Sequence, residues 1–394
     1  MAVEDKIGLL GRAAQYDVCS ACESVHPREA ADIGHWVSYA VRADGKRVPL
    51  LKVLQSNICE NDCAYCAFRS GRDTPRTAFT PDELARLFDE LVRRRLVEGL
   101  FLSSGVCGNV GRATERMLAT VELVRKRYAF PGYVHLKILP GAEEAAIAAS
   151  LELANRVSVN VEAPGSHRLR ALSKHKEIEQ LLGPLRTAHR LRTENEKRVS
   201  MTTQFVVGAA GESDREILSL TAVLYREVRL SRAYFSAFRP VRGTPLEGHP
   251  PTPTWREHRL YQADFLLRQY GFRVDELVFD EMGHLLAGAD PKWAWAYSHP
   301  DHFPIEVNTA TRDELLRVPG IGPQSADDIL ARRRQGRLRT LKDLGLSPAA
   351  ARRAAPWILL AGRRPEFQLS LWDAVAEEES GALFKETTGY ASHR

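Results

Sequence analysis

Cys59, Cys63 and Cys66 fall within eight residues, in the run Cys59-Glu60-Asn61-Asp62-Cys63-Ala64-Tyr65-Cys66. Their spacing is C-x3-C-x2-C, with the aromatic Tyr65 just before the last cysteine. Thiolates are soft ligands that suit zinc and iron–sulfur clusters. A closed zinc site takes four ligands, commonly as two pairs. Three thiolates on a four-iron cluster leave one iron open to an exchangeable ligand. Three buried or zinc-bound cysteines are the competing reading. Packing alone explains such a group poorly, because a free cysteine usually serves as a lone small hydrophobe. Cys19-Ser20-Ala21-Cys22 adds a C-x2-C pair. It is half of a second metal site or two incidental thiols, and no further pair follows it at ligand spacing.

Composition bounds what these groups can serve. At 394 residues the chain exceeds one average domain. No run approaches 18 apolar residues, so no membrane span is expected. The opening MAVEDKIGLLGRAAQ is acidic at once and lacks a long apolar core, which argues against a secretory signal. Six cysteines, three of them clustered, make no disulfide framework. A reducing cytoplasm is the expected compartment.

The elements that must position the cysteines follow from hydrophobic pattern. Leu50 to Gln55 is an apolar strand that runs straight into the cysteine loop. Thr80-Pro81-Asp82-Glu83 is a helix start with a cap, a first-position proline and a capping-box glutamate. Strands are expected at Leu100 to Gly105, Tyr133 to Leu139, Val157 to Val161, Thr202 to Val207 and Tyr234 to Phe238. Helices are expected at Thr114 to Tyr128, Ala142 to Leu153 and Lys174 to Glu196, then after the boxes Ser213-x-x-Glu216 and Thr254-x-x-Glu257. Six βα units with near-continuous apolar strands predict an α/β protein with a parallel sheet covered by helices, a partial (β/α)6 TIM-type barrel. Chemistry in such barrels sits at the C-terminal strand ends, where the cysteines fall.

The cysteine spacing and the aromatic resemble the signature of the radical S-adenosylmethionine (radical SAM) superfamily, and the partial barrel is the fold that resemblance also implies. It implies a 4Fe–4S cluster on Cys59, Cys63 and Cys66, whose open iron is chelated by SAM. An electron from the cluster cleaves SAM, and the 5′-deoxyadenosyl radical takes a hydrogen atom from the substrate. An electron donor such as flavodoxin or ferredoxin is implied. The resemblance extends to Ser103-Ser104-Gly105, which looks like the segment that meets the methionine amino group. Asn160 and Glu162 lie where ribose contacts are often placed, Tyr65 borders the cofactor, and Phe205 falls in the segment that backs the adenine. Gln204 stands where that segment commonly has a glycine. Cys107, two residues past Gly105, is a candidate hydrogen-atom donor or an auxiliary ligand with Cys19 and Cys22; a spare loop thiol is the plainer reading.

A second domain is expected from Ile305. Thr311-Arg312-Asp313-Glu314 is a capping box, followed by Pro319-Gly320-Ile321-Gly322-Pro323 and a helix from Gln324 to Arg334. This resembles the helix-hairpin-helix module of DNA repair and DNA uptake proteins. There, backbone N–H groups at the hairpin, here Gly320, Ile321 and Gly322, approach a phosphate. A weaker copy follows at Leu341 to Leu360. Between Ile305 and Arg364 twelve basic side chains, Arg332 and Arg333 among them, face six acidic ones. That excess of six is more than the whole chain's +5, the footprint of nucleic-acid binding. Gln368-Leu369-Ser370-Leu371-Trp372, in an acidic tail, resembles the peptide by which bacterial DNA-processing proteins dock on the sliding clamp, with Gln368, Leu371 and Trp372 as anchors.

The expected division is an N-terminal segment to residue 48, a barrel over 49–304, a hairpin domain over 305–364 and a flexible tail from 365. Together these features resemble the radical SAM proteins with a C-terminal helix-hairpin-helix that are regarded as DNA modification or repair enzymes. RNA, including tRNA, is the alternative substrate. A non-catalytic clamp-associated DNA-binding protein with a structural cluster is the third reading, and the SAM-side residues argue against it.

Overall fold

The structure is a computed structural model that describes residues 1–14, 37–41 and 47–366. Cys19, Cys22 and the Gln368, Leu371 and Trp372 anchors lie outside the described residues. Two compact units divide the chain. One comprises Met1–Glu212 and Val223–Pro253, the other Ser213–Ala222 and the chain from Thr254 on.

The first unit opens with α1 (Val3–Ala13), whose Lys6 closes an ion pair of 2.7 Å with Glu83. β1 (Val37–Val41) pairs antiparallel with β2 (Arg47–Leu54). There follow α2 (Pro81–Arg93), β3 (Gly99–Ser103), α3 (Val110–Glu122), β4 (Tyr133–Lys137), α4 (Glu144–Leu153) and β5 (Arg156–Ser158). Then come α5 (Ser166–Leu172), α6 (Ile178–Glu194), β6 (Ser200–Val207), α7 (Asp214–Glu227), whose residues up to Ala222 fall in the second unit, and β7 (Arg232–Ala237). The seven strands lie side by side in chain order, and β2 to β7 are all parallel. This is the expected half-barrel of six βα units with one antiparallel strand added at the edge. Leu51, Val53, Leu100, Leu102, Val134 and Leu136 are buried and in register, so they form one continuous apolar face, while Lys52, Phe101 and His135 occupy the positions between them on the other.

Local chemistry sets the helix starts. Thr80 and Glu83 form the expected capping box, with Pro81 at the first position of α2. Glu216 accepts from the Ser213 N–H at 2.7 Å and returns its own N–H to the Ser213 hydroxyl at 3.2 Å. α3 does not simply run to Tyr128; a five-residue π-helical turn, Leu123–Arg127, ends it. The charged stretch expected as one helix from Lys174 begins as a helix only at Ile178, and α5 precedes it.

In the second unit, α8 (Thr254–Gln269) and α9 (Pro291–Ser298) precede β8 (Ile305–Glu306), α10 (Arg312–Arg317), α11 (Pro323–Gln335), α12 (Pro348–Ala354) and β9 (Ile358–Leu359). Val307, Leu315, Leu316, Val318, Ile321, Ile329 and Leu344 form its core, with Tyr270 and Phe303 packed against it. β8 and β9 pair in parallel and close the small domain. The aromatics between 281 and 304 pack on one another: Trp295 stacks on His299 at 4.4 Å, and Phe303 meets Trp357 at 5.0 Å.

Candidate functional site: the cysteine loop and the hairpin

The three cysteines lie on the loop that leaves β2, at the C-terminal end of the parallel sheet. The loop is pinned from several sides. Arg76 donates to the carbonyls of Asn57 (2.6 Å), Phe68 (2.9 Å), Arg69 (2.8 Å) and Arg72 (3.1 Å), so one guanidinium holds both arms. Asn57 receives the Thr77 N–H at 2.8 Å. Ala64 N–H reaches the Leu172 carbonyl at the end of α5, at 2.7 Å. Burial works against the Asp62 carboxylate, yet the Ser173 hydroxyl and the Lys174 N–H hold its pKa below the usual value.

Gly105 carries the neighbouring loop under this one. Its N–H donates to the Ser56 carbonyl at 2.7 Å, and a side chain there would collide with the Ile58 carbonyl oxygen and reach 3.0 Å from Cys59 Cβ. Ser103 is buried; the Ser104 hydroxyl donates to the Gly105 carbonyl at 2.8 Å. Cys107 lies beyond, in the stretch where Glu60 N–H meets the Val106 carbonyl at 2.9 Å.

The Cys63 and Cys66 thiols are within electrostatic reach of each other, and Cys59 of Cys66. Burial pushes Cys63 up to about 12 and Cys66 up to about 11. Thiols so buried take the charged form when a metal cation compensates them. The Phe68 N–H points at Cys66 Sγ at 3.4 Å, the kind of contact that tunes cluster sulfurs. The donor set therefore fits a cluster held by three thiolates. Among the described residues no three His, Cys, Asp or Glu side chains converge on a single ion. A cluster does not need that, since each thiolate binds a separate iron.

At the end of β5 the structure brings a carboxylate to the same place. Glu162 is buried, adopts φ +66°, and bridges in β fashion to Phe205. Few residues with a side chain adopt that conformation, and those that do often mark a site. Lys176 Nζ donates to both Glu162 oxygens, at 2.8 and 2.9 Å, and lies within electrostatic reach of Cys63. Burial disfavours the Lys176 ammonium, but Glu162 and Cys63 outweigh it and hold its pKa above the ordinary value. The Tyr65 phenol, raised by burial and then by Glu162, lies within electrostatic reach of the same carboxylate. Asn160 is half-buried on the same stretch.

Phe205 does not join this group through its ring. It is fully buried and stacks on Phe235 at 6.1 Å, while Val206, like Tyr65, packs against the cluster that holds Ala163 and Leu169. Side chains alternate along a strand, so a one-residue step moves a residue to the other face. Lys176, Arg76 and Asp62 were not singled out from the sequence, because each sits in a run that looks like solvated polar residues.

The buried pair gives a direct test. Lys176→Ala leaves the Glu162 carboxylate without its cation and is expected to destabilise the fold by about 3–5 kcal/mol. Urea unfolding measures this, and the double variant Lys176→Met/Glu162→Gln is expected to recover part of it. A single variant as stable as the parent would show that the pair is not closed in solution.

In the second unit the hairpin Pro319–Gly322 joins α10 to α11. Thr311 and Glu314 form the capping box of α10. Gly322 is the N-cap of α11, Pro323 follows, and no side chain caps this end. Gly320 adopts φ +86°, and a Cβ there would lie 2.5 Å from the Ala350 carbonyl. The packing of α12 therefore demands glycine at 320 whatever the hairpin binds. Arg333 donates to the Val307 and Ala310 carbonyls at 3.2 and 2.5 Å, which ties α11 to its own domain. Arg332 is exposed and packs over Gly345.

Residues 53–223 match the family model described as the radical SAM superfamily, and residues 302–358 match the helix-hairpin-helix motif. The chain thus carries a radical SAM domain followed by a helix-hairpin-helix motif. That superfamily uses a 4Fe–4S cluster and SAM, the pair of cofactors the cysteine loop fits. Comparison with curated protein sequences gives no match. Among solved structures the chain is similar to HydG, a maturase of the FeFe-hydrogenase (13% identity, TM-score 0.45, 54% of this chain and 48% of that one). It is also similar to methylornithine synthase PylB (15%, 0.46, 68% and 76%) and to a radical SAM methyltransferase from Sphaerobacter thermophilus (15%, 0.43, 60% and 72%). It spans about half the length of HydG. No helix among the described residues is long and apolar enough to cross a membrane.

Proposed function

We propose that the chain is a radical SAM enzyme that modifies or repairs nucleic acid, with DNA as the substrate. The observation that carries the nucleic-acid half is the open end of α11. A helix N-terminus with unclaimed N–H groups and a partial positive charge suits a phosphate. It belongs to a small domain with twice as many basic as acidic side chains. Contacts of this kind grip the backbone and do not read bases.

In this reading Cys59, Cys63 and Cys66 hold the cluster, and Ser103, Ser104, Gly105, Asn160 and Tyr65 surround SAM. The cofactors, supplied with an electron, generate the radical that abstracts hydrogen. The protein's part is position and a dry cavity. Lys176 orients Glu162 at the strand end, and Val206 backs the adenine in place of Phe205. In this reading Cys107 returns a hydrogen atom to a product radical, against the plainer reading of a spare loop thiol. Gly320, Ile321 and Gly322 meet phosphate, with Arg332 adding charge. The Gln368, Leu371 and Trp372 peptide docks on a sliding clamp, which suits a cytoplasmic enzyme working behind replication.

The test is anaerobic incubation with SAM, reductant and either DNA, RNA or neither. Mass spectrometry of nucleosides and of 5′-deoxyadenosine is the readout. DNA is expected to raise 5′-deoxyadenosine and to yield a new nucleoside. Stimulation by RNA alone would move the substrate to RNA. Binding to duplex DNA is expected to weaken linearly in log salt, with a slope of about 0.9 per phosphate engaged. Salt-insensitive binding would remove the backbone-contact reading.

A further inference from the structure

The second unit holds a cavity of about 420 Å³ beside the hairpin. Its size is that of small-molecule sites, roughly 300–1,000 Å³. Phe265 of α8 and Tyr270 just past its end, Asp290 and Lys292 at the head of α9, and the hairpin itself line it, with Arg353 of α12 exposed among them.

Lys292 is 7% exposed. Its Nζ donates to the Ile321 carbonyl at 2.5 Å and lies 4.7 Å from the Tyr270 ring centroid. Among the described residues no carboxylate closes an ion pair with it. Asp290 instead accepts the backbone N–H groups of Lys292 and Trp293, at 3.0 and 3.2 Å. A buried ammonium without a paired anion is costly. Burial, then Arg353 and Arg317, push it down to about 7, with Asp290 opposing. An anion entering the cavity would restore the charge.

The hairpin narrows the choice of anion. The same wall opens the uncapped end of α11, so a phosphate here would have N–H donors on one side and an ammonium on the other. A phosphate alone needs no aromatic wall, yet Phe265 is 41% exposed and Tyr270 lies deeper in the same cavity. Exposed rings next to a phosphate site suit base stacking.

We propose that this cavity receives one unstacked nucleotide of the bound nucleic acid, its phosphate between the hairpin and Lys292 and its base against Phe265 and Tyr270. This rests on the reading of the hairpin as a nucleic-acid contact, and the test separates the two.

Fluorescence anisotropy compares two labelled duplexes, identical except that one carries a single unpaired nucleotide. The full-length protein is expected to favour the second by about tenfold, the scale of one base–aromatic stack. Phe265→Ala is expected to abolish the preference while holding the perfect duplex within about twofold of the parent. Lys292→Met also removes the hydrogen bond to the hairpin's Ile321 carbonyl, so it is expected to abolish the preference and weaken both duplexes. Phe265→Ala alters an exposed ring, so it carries the test if Lys292→Met fails to fold. The charged and titratable groups facing Lys292 are Asp290, Arg317, Arg353 and Tyr270. The ammonium is present below its lowered pKa and is lost above it. The parent's preference therefore falls as pH rises past about 7, while Lys292→Arg keeps it. Equal binding of both duplexes by the parent, or a preference that survives Phe265→Ala, overturns the pocket and leaves the hairpin reading standing. No binding of either duplex overturns the hairpin reading and the pocket with it.

Discussion

Cys63→Ala is expected to yield a folded chain that holds no four-iron centre and releases no 5′-deoxyadenosine above background. Of the three clustered cysteines Cys63 is the buried one, and Lys176 lies within electrostatic reach of it. Its loss leaves two thiolates for a cluster that needs three. The fold has little reason to fail. The loop is held by Arg76, Asn57, Asp62 and Gly105, none of which depends on the Cys63 sulfur. Anaerobic reconstitution followed by iron determination is expected to fall from about four irons per chain to a small residue. Mass spectrometry of the same samples, given SAM and dithionite, measures cleavage. Retained cleavage in Cys63→Ala would remove the cluster from this loop and return the three cysteines to packing or zinc. Cys107→Ala run beside it is expected to keep its irons, since the three-cysteine loop alone supplies the ligands.

Much of this fold was legible because its signals are local. The strands from β2 to β7 are short apolar runs, and the boxes at Thr80, Ser213 and Thr311 mark helix starts by side-chain chemistry within four residues. What was missed depends on partners far away in the chain. β1 is a strand through its antiparallel pairing with β2. Lys176 lies in Ser173-Lys174-His175-Lys176-Glu177, a run that looks solvated, and it is buried because Glu162 and Cys63 come to meet it. Arg76 similarly acquires its role from four carbonyls of a loop that the sequence does not show to be folded back. Phe205 and Val206 were separable only by strand phase, which the unbroken apolar run Phe205-Val206-Val207 conceals.

The hairpin shows the same limit in another form. Gly320-Ile321-Gly322 was legible as a motif, but the reasons for its residues differ. Gly320 is required by the backbone of α12, and Ile321 fills the domain core. Gly322 is the N-cap at the open end of α11. Truncation at Ile305 would also uncover Tyr270 and Phe303, which pack on the small domain's core. Point variants therefore test nucleic-acid binding more cleanly than deletion.

Gly105→Ala separates two meanings of one sequence motif. If Gly105 serves only to let SAM approach the backbone, alanine weakens SAM binding and leaves the irons in place. The structure predicts more. The added Cβ runs into the Ile58 carbonyl, a backbone atom, and presses on Cys59 Cβ at 3.0 Å. Backbone cannot swing aside as a long side chain does, so the cysteine loop must move relative to β3. Overpacking of this kind costs about 1–3 kcal/mol, and here the cost falls on the segment that presents Cys59. A metal site tolerates little displacement of its ligands, with geometry held to about 0.5 Å in working sites. Gly105→Ala is therefore expected to lose most of its cluster iron on desalting and at least tenfold in reductive SAM cleavage, with overall unfolding only modestly easier. Iron content after gel filtration, the EPR signal of the reduced cluster and urea unfolding provide the three measurements. Full iron content with weakened SAM binding would mean that the loop relaxes around the methyl group, and that Gly105 acts on the cofactor alone.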